Sequence, residues 1–164
     1  MVALFNRVIC VLLVSTLLAS CGFQLRGKQE IPESAKTVTL TLKKGMPERF
    51  EQAMMKTLAE KEISIAAGAP YQLIVKDAII NRRSITLDSK ANVDEYELLI
   101  LVNFEIFDRD GHSVSGPLVA RNERIYDYNA NAAAASYVLE KQIRVEMWKS
   151  VSENILRQFI ARIR

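Results

Sequence analysis

Two kinds of side chain in this sequence could do chemistry: a thiol that follows small residues, and a short cluster of cations. Of the two cysteines, Cys10 lies inside an apolar run and Cys21 directly follows Leu18-Ala19-Ser20. With both cysteines so near the start, the remainder of the chain has no disulfide and no thiolate metal ligand. The single histidine, His112, stands beside an Asp-Gly turn signal. A lone base without a nucleophile and an orienting acid nearby is a solvated surface group before it is a catalyst. No Gly-rich phosphate loop, His/Glu metal spacing or nucleophile elbow occurs. Asp94 and Glu95 are adjacent, so in an extended chain they point to opposite sides. The residues therefore predict no enzyme, no metal site and no cofactor.

The cations are Arg82, Arg83 and Lys90, which flank the connection between two extended segments. A phosphorylated ligand would be held there by charge-assisted hydrogen bonds, with arginine able to bind bidentately. Charges at a hairpin end also keep strand edges from pairing with other chains, and position alone leaves both roles open. The net charge of +3 is too mild to argue for a nucleic-acid partner.

The first residues read in three parts. Met1–Arg7 carries one positive charge, Val8–Leu18 is apolar apart from Ser15 and Thr16, and Ala19-Ser20 supplies small residues before Cys21. The apolar run is too short for a transmembrane helix, which needs about 20 residues, and fits the core of a secretion signal. Leu18-Ala19-Ser20-Cys21 resembles the lipobox of bacterial lipoproteins. The resemblance implies cleavage after residue 20, a diacylglyceryl group on the Cys21 sulfur and an acyl group on its new amino terminus. Gly22, where some lipoproteins have Asp, resembles those sorted onward to the outer membrane. Several acyl chains, at about 0.8 kcal/mol per buried methylene, make such an anchor effectively permanent. The organisation expected is a signal over 1–20, a lipidated start and tether over 21–36, and one domain over 37–164.

The elements that position these residues follow from periodicity. Thr37–Leu42 alternates strictly and predicts a strand with one buried face. Phe50, Ala53, Met54, Thr57 and Leu58 follow helical spacing, which predicts a helix from about Pro47 to Lys61. Tyr71–Leu87 reads as a second extended segment with a bend or bulge within Ala78–Arg83. After a polar connection at Asp88–Val93, residues Tyr96 to Ile106 form a long strand with one apolar face and a mixed opposite face. Asp108–Gly111 signals a hairpin, and Leu118–Asp127 returns as a strand. Alanine-rich sequence from Ala130 then opens a helix that runs almost to the end. The expected fold is α+β: a four-stranded, mostly antiparallel sheet with two helices packed on one face, in the order β-α-β-β-β-α.

The start of the exported part, Cys21-Gly22-Phe23-Gln24-Leu25-Arg26-Gly27, closely resembles the opening of the lipopolysaccharide-assembly lipoprotein family LptE. Glu95-Tyr96-Glu97-Leu98 with Val102-Asn103, Arg124-Ile125-Tyr126-Asp127 and Glu146-Met147 resemble later family positions. The resemblance implies a lipoprotein held at the periplasmic face of the outer membrane. It would plug the large LptD β-barrel there, help place lipopolysaccharide in the outer leaflet and bind lipopolysaccharide itself. The family's basic positions fall within Leu87–Ala91, where Asp88 and Lys90 stand, and within Ala132–Ser136, which has no cation. Arg82, Arg83 and Lys90 are therefore candidate lipopolysaccharide contacts by proximity. The mixed face of the long strand suits a polar barrel interior and equally suits a face covered by a helix. The other reading is a free, periplasm-facing lipoprotein that binds some other lipid or protein.

Overall fold

The alternation of Thr37–Leu42 becomes strand β1, and the helical run after Pro47 becomes α1, Glu48–Glu60. The computed structural model describes residues 31–87, 89 and 92–163. The signal, the lipobox, Cys21 and the residues up to 30 lie outside the described residues, as do Asp88 and Lys90. In α1, Phe50, Met54 and Leu58 recur at four-residue intervals and are buried, while Glu48 and Glu51 in the first turn complement the helix dipole. Then follow β2 (Ser64–Ile65), β3 (Tyr71–Leu87), β4 (Val93–Asp108), β5 (Leu118–Asp127) and α2 (Ala133–Arg162).

The sheet has five strands, not four, in the order β2-β1-β3-β4-β5. It is also mixed rather than mostly antiparallel: β1 runs parallel to both β2 and β3, and the two remaining pairings are antiparallel. A helix between two strands of one sheet returns the chain at the end where it began, so the strands after α1 come back parallel to β1. The additional strand, β2, is only two residues long, held by Ser64 N–H donating to Lys36 O and Ala66 N–H donating to Val38 O.

Both helices cover one sheet face. Leu98, Ile100, Val102, Phe104 and Ile106 of β4 join Phe50 and Met54 of α1 and Met147, Val151, Ile155 and Phe159 of α2 in a single core. Each such side chain contributes roughly 1.5–3 kcal/mol when removed from water. Ala35 is fully buried and Ile31 packs against this core, so the described fold already includes residues before β1. No helix among the described residues is long and apolar enough to cross a membrane.

The bulge expected within Ala78–Arg83 is displaced. Register shifts occur between Val75 and Asp77 and again around Ser84–Leu87. Lys76 is the extra residue at the first shift, which turns its ammonium onto Glu105 and places Val75 and Ala78 on the same face. The Asp108–Gly111 turn forms, with Gly111 at φ 84°, but it opens a longer loop than a tight hairpin. The Asp108 carboxylate accepts from the N–H groups of Asp110 and His112, and Phe107 bridges to Ser113 before β5 begins.

Candidate functional site

The β3–β4 hairpin continues beyond the region that the apolar half of α2 covers. At that far end the core-facing positions of the sheet change from carbon to polar groups. Register places Arg82, Leu98 and Arg124 in one row across β3, β4 and β5, and Ser84, Tyr96 and Tyr126 in the next. The first turns of α2 lie over these rows.

Glu140 of α2 is the hub. It accepts a short hydrogen bond from the Tyr126 hydroxyl, its Oε2 lies 3.3 Å from Arg82 Nε, and its Oε1 lies 2.6 Å from Arg144 Nη2. The Arg82 guanidinium sits 3.5 Å from the centre of the Tyr96 ring, a cation–π contact. Tyr96 stacks on Tyr126 with centroids 5.9 Å apart and meets Tyr128 edge-on at 5.2 Å. Burial pushes the Glu140 carboxyl up, but the Tyr126 hydroxyl, Arg144 and Arg82 outweigh it and hold Glu140 below the usual carboxylate range. Burial, followed by the bond to Glu140, pushes the Tyr126 hydroxyl up to about 12.

Arg83 belongs to the opposite face. Consecutive residues of a strand alternate sides, and Arg83 forks onto Glu97 of β4 with Nε–Oε2 2.5 Å and Nη2–Oε1 2.9 Å. Arg83's hydrogen bonds hold the Glu97 carboxyl below its ordinary value. The structure therefore does not bring Arg82 and Arg83 together: one locks the hairpin to α2, and the other braces two strands on the uncovered face. Lys90 lies outside the described residues. Arg124 and Lys141, both exposed, form no ion pair among the described residues at this end.

Large apolar side chains are exposed around the same end. Leu87 of β3 is 61% exposed, Tyr137 of α2 is 70% exposed, and Ile85, Val138 and Leu139 are also in solvent. Cations beside uncovered carbon suit an amphiphile whose anionic part meets arginine or lysine. Sequence reasoning missed Glu140, Tyr96, Tyr126 and Arg144 as members of one cluster. The available signal was the i, i+4 spacing of Glu140 and Arg144, and the aromatic residues inside Glu95–Leu98 and Arg124–Asp127. His112 stays exposed, 3.4 Å through Nδ1 from Asp108 Oδ2. Asp108, Asp110 and His112 form a turn whose first carboxylate already accepts two backbone N–H groups.

On the uncovered face β4 presents Glu97, Leu99, Leu101, Asn103, Glu105 and Phe107. Lys76 and the Ser113 hydroxyl hold Glu105 below the usual carboxylate range, as Arg83 does Glu97 at the other end of the row. This is a polar-and-apolar mixture over which no helix of the described residues packs.

A two-layer α+β unit of this design is shared with bacterial lipoproteins of known structure. The rare lipoprotein B of Shewanella oneidensis superposes with a TM-score of 0.66 at 20% identity, covering 76% of this chain and 94% of that one. An uncharacterized lipoprotein B from Nitrosomonas europaea gives a TM-score of 0.68 at 20% identity over 85% and 91% of the two chains. A minor lipoprotein from Acinetobacter baumannii gives 0.63 at 21% identity over 77% and 92%. At these identities the likeness establishes the fold. No curated protein sequence matches the chain. The family model described as LptE, lipopolysaccharide-assembly, matches residues 35–159, and the chain belongs to that family.

Proposed function

We propose that the chain is an outer-membrane lipoprotein, anchored through Cys21, that plugs an LptD-type β-barrel and helps insert lipopolysaccharide into the outer leaflet. The observation that carries this reading is the family match across residues 35–159. The uncovered sheet face supports it, because Glu97, Leu99, Leu101, Asn103 and Glu105 offer the mixed surface that a polar barrel interior accepts. A tagged full chain, extracted in detergent that preserves membrane complexes, should carry one very large β-barrel with it. Recovery of the lipoprotein alone would remove the barrel and leave a free, periplasm-facing binder of another lipid or protein.

The same reading assigns a lipopolysaccharide contact to the far end of the hairpin, with Arg83 and Lys90 meeting phosphate and Arg82 holding the hairpin in place. The support is the pairing of cations with exposed Ile85 and Leu87 at that end. Combined charge reversal of Arg82, Arg83 and Lys90 should abolish retention of lipopolysaccharide on the immobilised chain. Undiminished retention would refute the site and leave the barrel partnership standing.

A further inference from the structure

A groove of about 200 Å³ runs between α1 and α2. Its α1 wall comes from Arg49, Gln52, Ala53, Lys56, Thr57 and Glu60, one helical face at i, i+3, i+4 spacing. Val145, Trp148 and Lys149 supply the α2 side by the same rule. Carbon makes the floor, from Ala53, Val145 and the Trp148 indole, which is only 3% exposed and packs against Phe50 at 5.6 Å between ring centroids.

The lysines of the rim make only long ion pairs. Lys56 Nζ is 4.0 Å from Glu60 Oε1 and Lys149 Nζ is 3.7 Å from Glu60 Oε2, both longer than a hydrogen bond. Lys149 also lies 4.0 Å from Glu153. Arg49 forms no ion pair, and the Trp148 indole N–H no hydrogen bond, among the described residues. Three cations thus face one lining carboxylate, Glu60, and Glu153 beside Lys149, while Gln52 donates to Glu48 at 2.9 Å.

We propose that this groove seats the phosphate of an anionic lipid headgroup, with Arg49, Lys56 and Lys149 on the anion and the lipid's glycerol and first methylenes against Ala53, Val145 and Trp148. Charge complementarity selects an anion. The carbon floor selects an amphiphile over a free, fully hydrated phosphate, which would gain nothing from it. None of these residues belongs to the hairpin-end contact.

Trp148 is the only tryptophan in the sequence, so the emission comes from the residue that floors this groove. The full chain in a non-ionic detergent is titrated with phosphatidylglycerol carried in the same micelles. Phosphatidylcholine, soluble glycerol 3-phosphate and a glutamate-rich peptide form the other arms. Phosphatidylglycerol should shift the emission saturably and phosphatidylcholine should not. Lys56→Glu combined with Lys149→Glu should weaken the response about tenfold, the scale of losing charge-assisted bonds. Both lysines are exposed, and far-ultraviolet circular dichroism verifies the fold. Arg49→Ala provides a milder variant and should weaken binding severalfold. No shift, an equal shift with phosphatidylcholine, or a shift that survives the double reversal overturns the proposal. Equal saturation by glycerol 3-phosphate, or by the peptide alone, overturns the lipid assignment in favour of free phosphate or an acidic protein segment.

Discussion

The two halves of the β3–β4 hairpin are one continuous ladder, yet they are held by different forces. The half from Tyr71 to Ile80, paired with Ile100 to Asp108, lies under both helices and is secured by carbon: Leu73, Val75, Ile100, Phe104 and Ile106 are almost wholly out of water. The half from Asn81 outward extends past that cover, and polar groups stabilise it. On one face Glu140 gathers Arg82, Arg144 and Tyr126; on the other Arg83 grips Glu97. Burial of carbon carries no titratable group, whereas a cluster of charges responds to pH and is screened by salt. One hairpin can therefore be rigid where it builds the domain and adjustable at its outer end.

The comparison can be broken most severely in the covered half. Phe104→Ala leaves a cavity beneath both helices and should cost about 3–5 kcal/mol, read as a lowered midpoint in urea unfolding. In the outer half, Glu140→Gln keeps the shape but removes the charge that Arg82 and Arg144 share. It should cost about 1–3 kcal/mol. Its signature should be local: amide exchange should accelerate at residues 81–87 and 93–98 while Leu73 and Ile106 stay protected. Equal acceleration in both halves would show that they are one cooperative unit. The smallest effect belongs to Tyr126. Tyr126→Phe should cost about 1 kcal/mol through the lost bond to Glu140. Because its hydroxyl is pushed up from 10.0 to about 12, its stabilisation is complete below the unfolded value and fades as the pH rises towards 12. A chain carrying Tyr126→Phe should lack that component of alkaline destabilisation, measured by urea unfolding between pH 9 and roughly 12.

The same division governs what could be read from the residues. β3 and β5 begin and end where alternation and turn residues put them, because strands with one buried face carry a period of two. The bulge was expected too late, within Ala78–Arg83, although Leu73, Val75, Ala78 and Ile80 change spacing from two to three across Lys76. The parallel pairing of β1 was hidden, since alternation looks the same in either direction and only the intervening α1 betrays it. Ser64–Ile65 is too short to carry a pattern at all. Arg82 and Arg83, grouped as one cluster from the sequence, are separated by the alternation of the strand, which sends adjacent residues to opposite faces. Their partners were not legible, because Glu140 is joined to Arg82 only through tertiary packing, and no local rule spans that separation.

The position of β1 has a consequence for how the chain assembles. Its neighbours on both sides, Ser64–Ile65 and Gln72–Val75, follow it in the sequence. A chain that emerges with its N-terminus first therefore presents six alternating residues with two bare edges before either partner exists. The β3–β4–β5 meander closes through connections to its immediate neighbours and has the lower loop-closure cost, so it sets first. On that ground alone the strand that leads the fold in sequence is expected to dock late, into an edge the meander has formed.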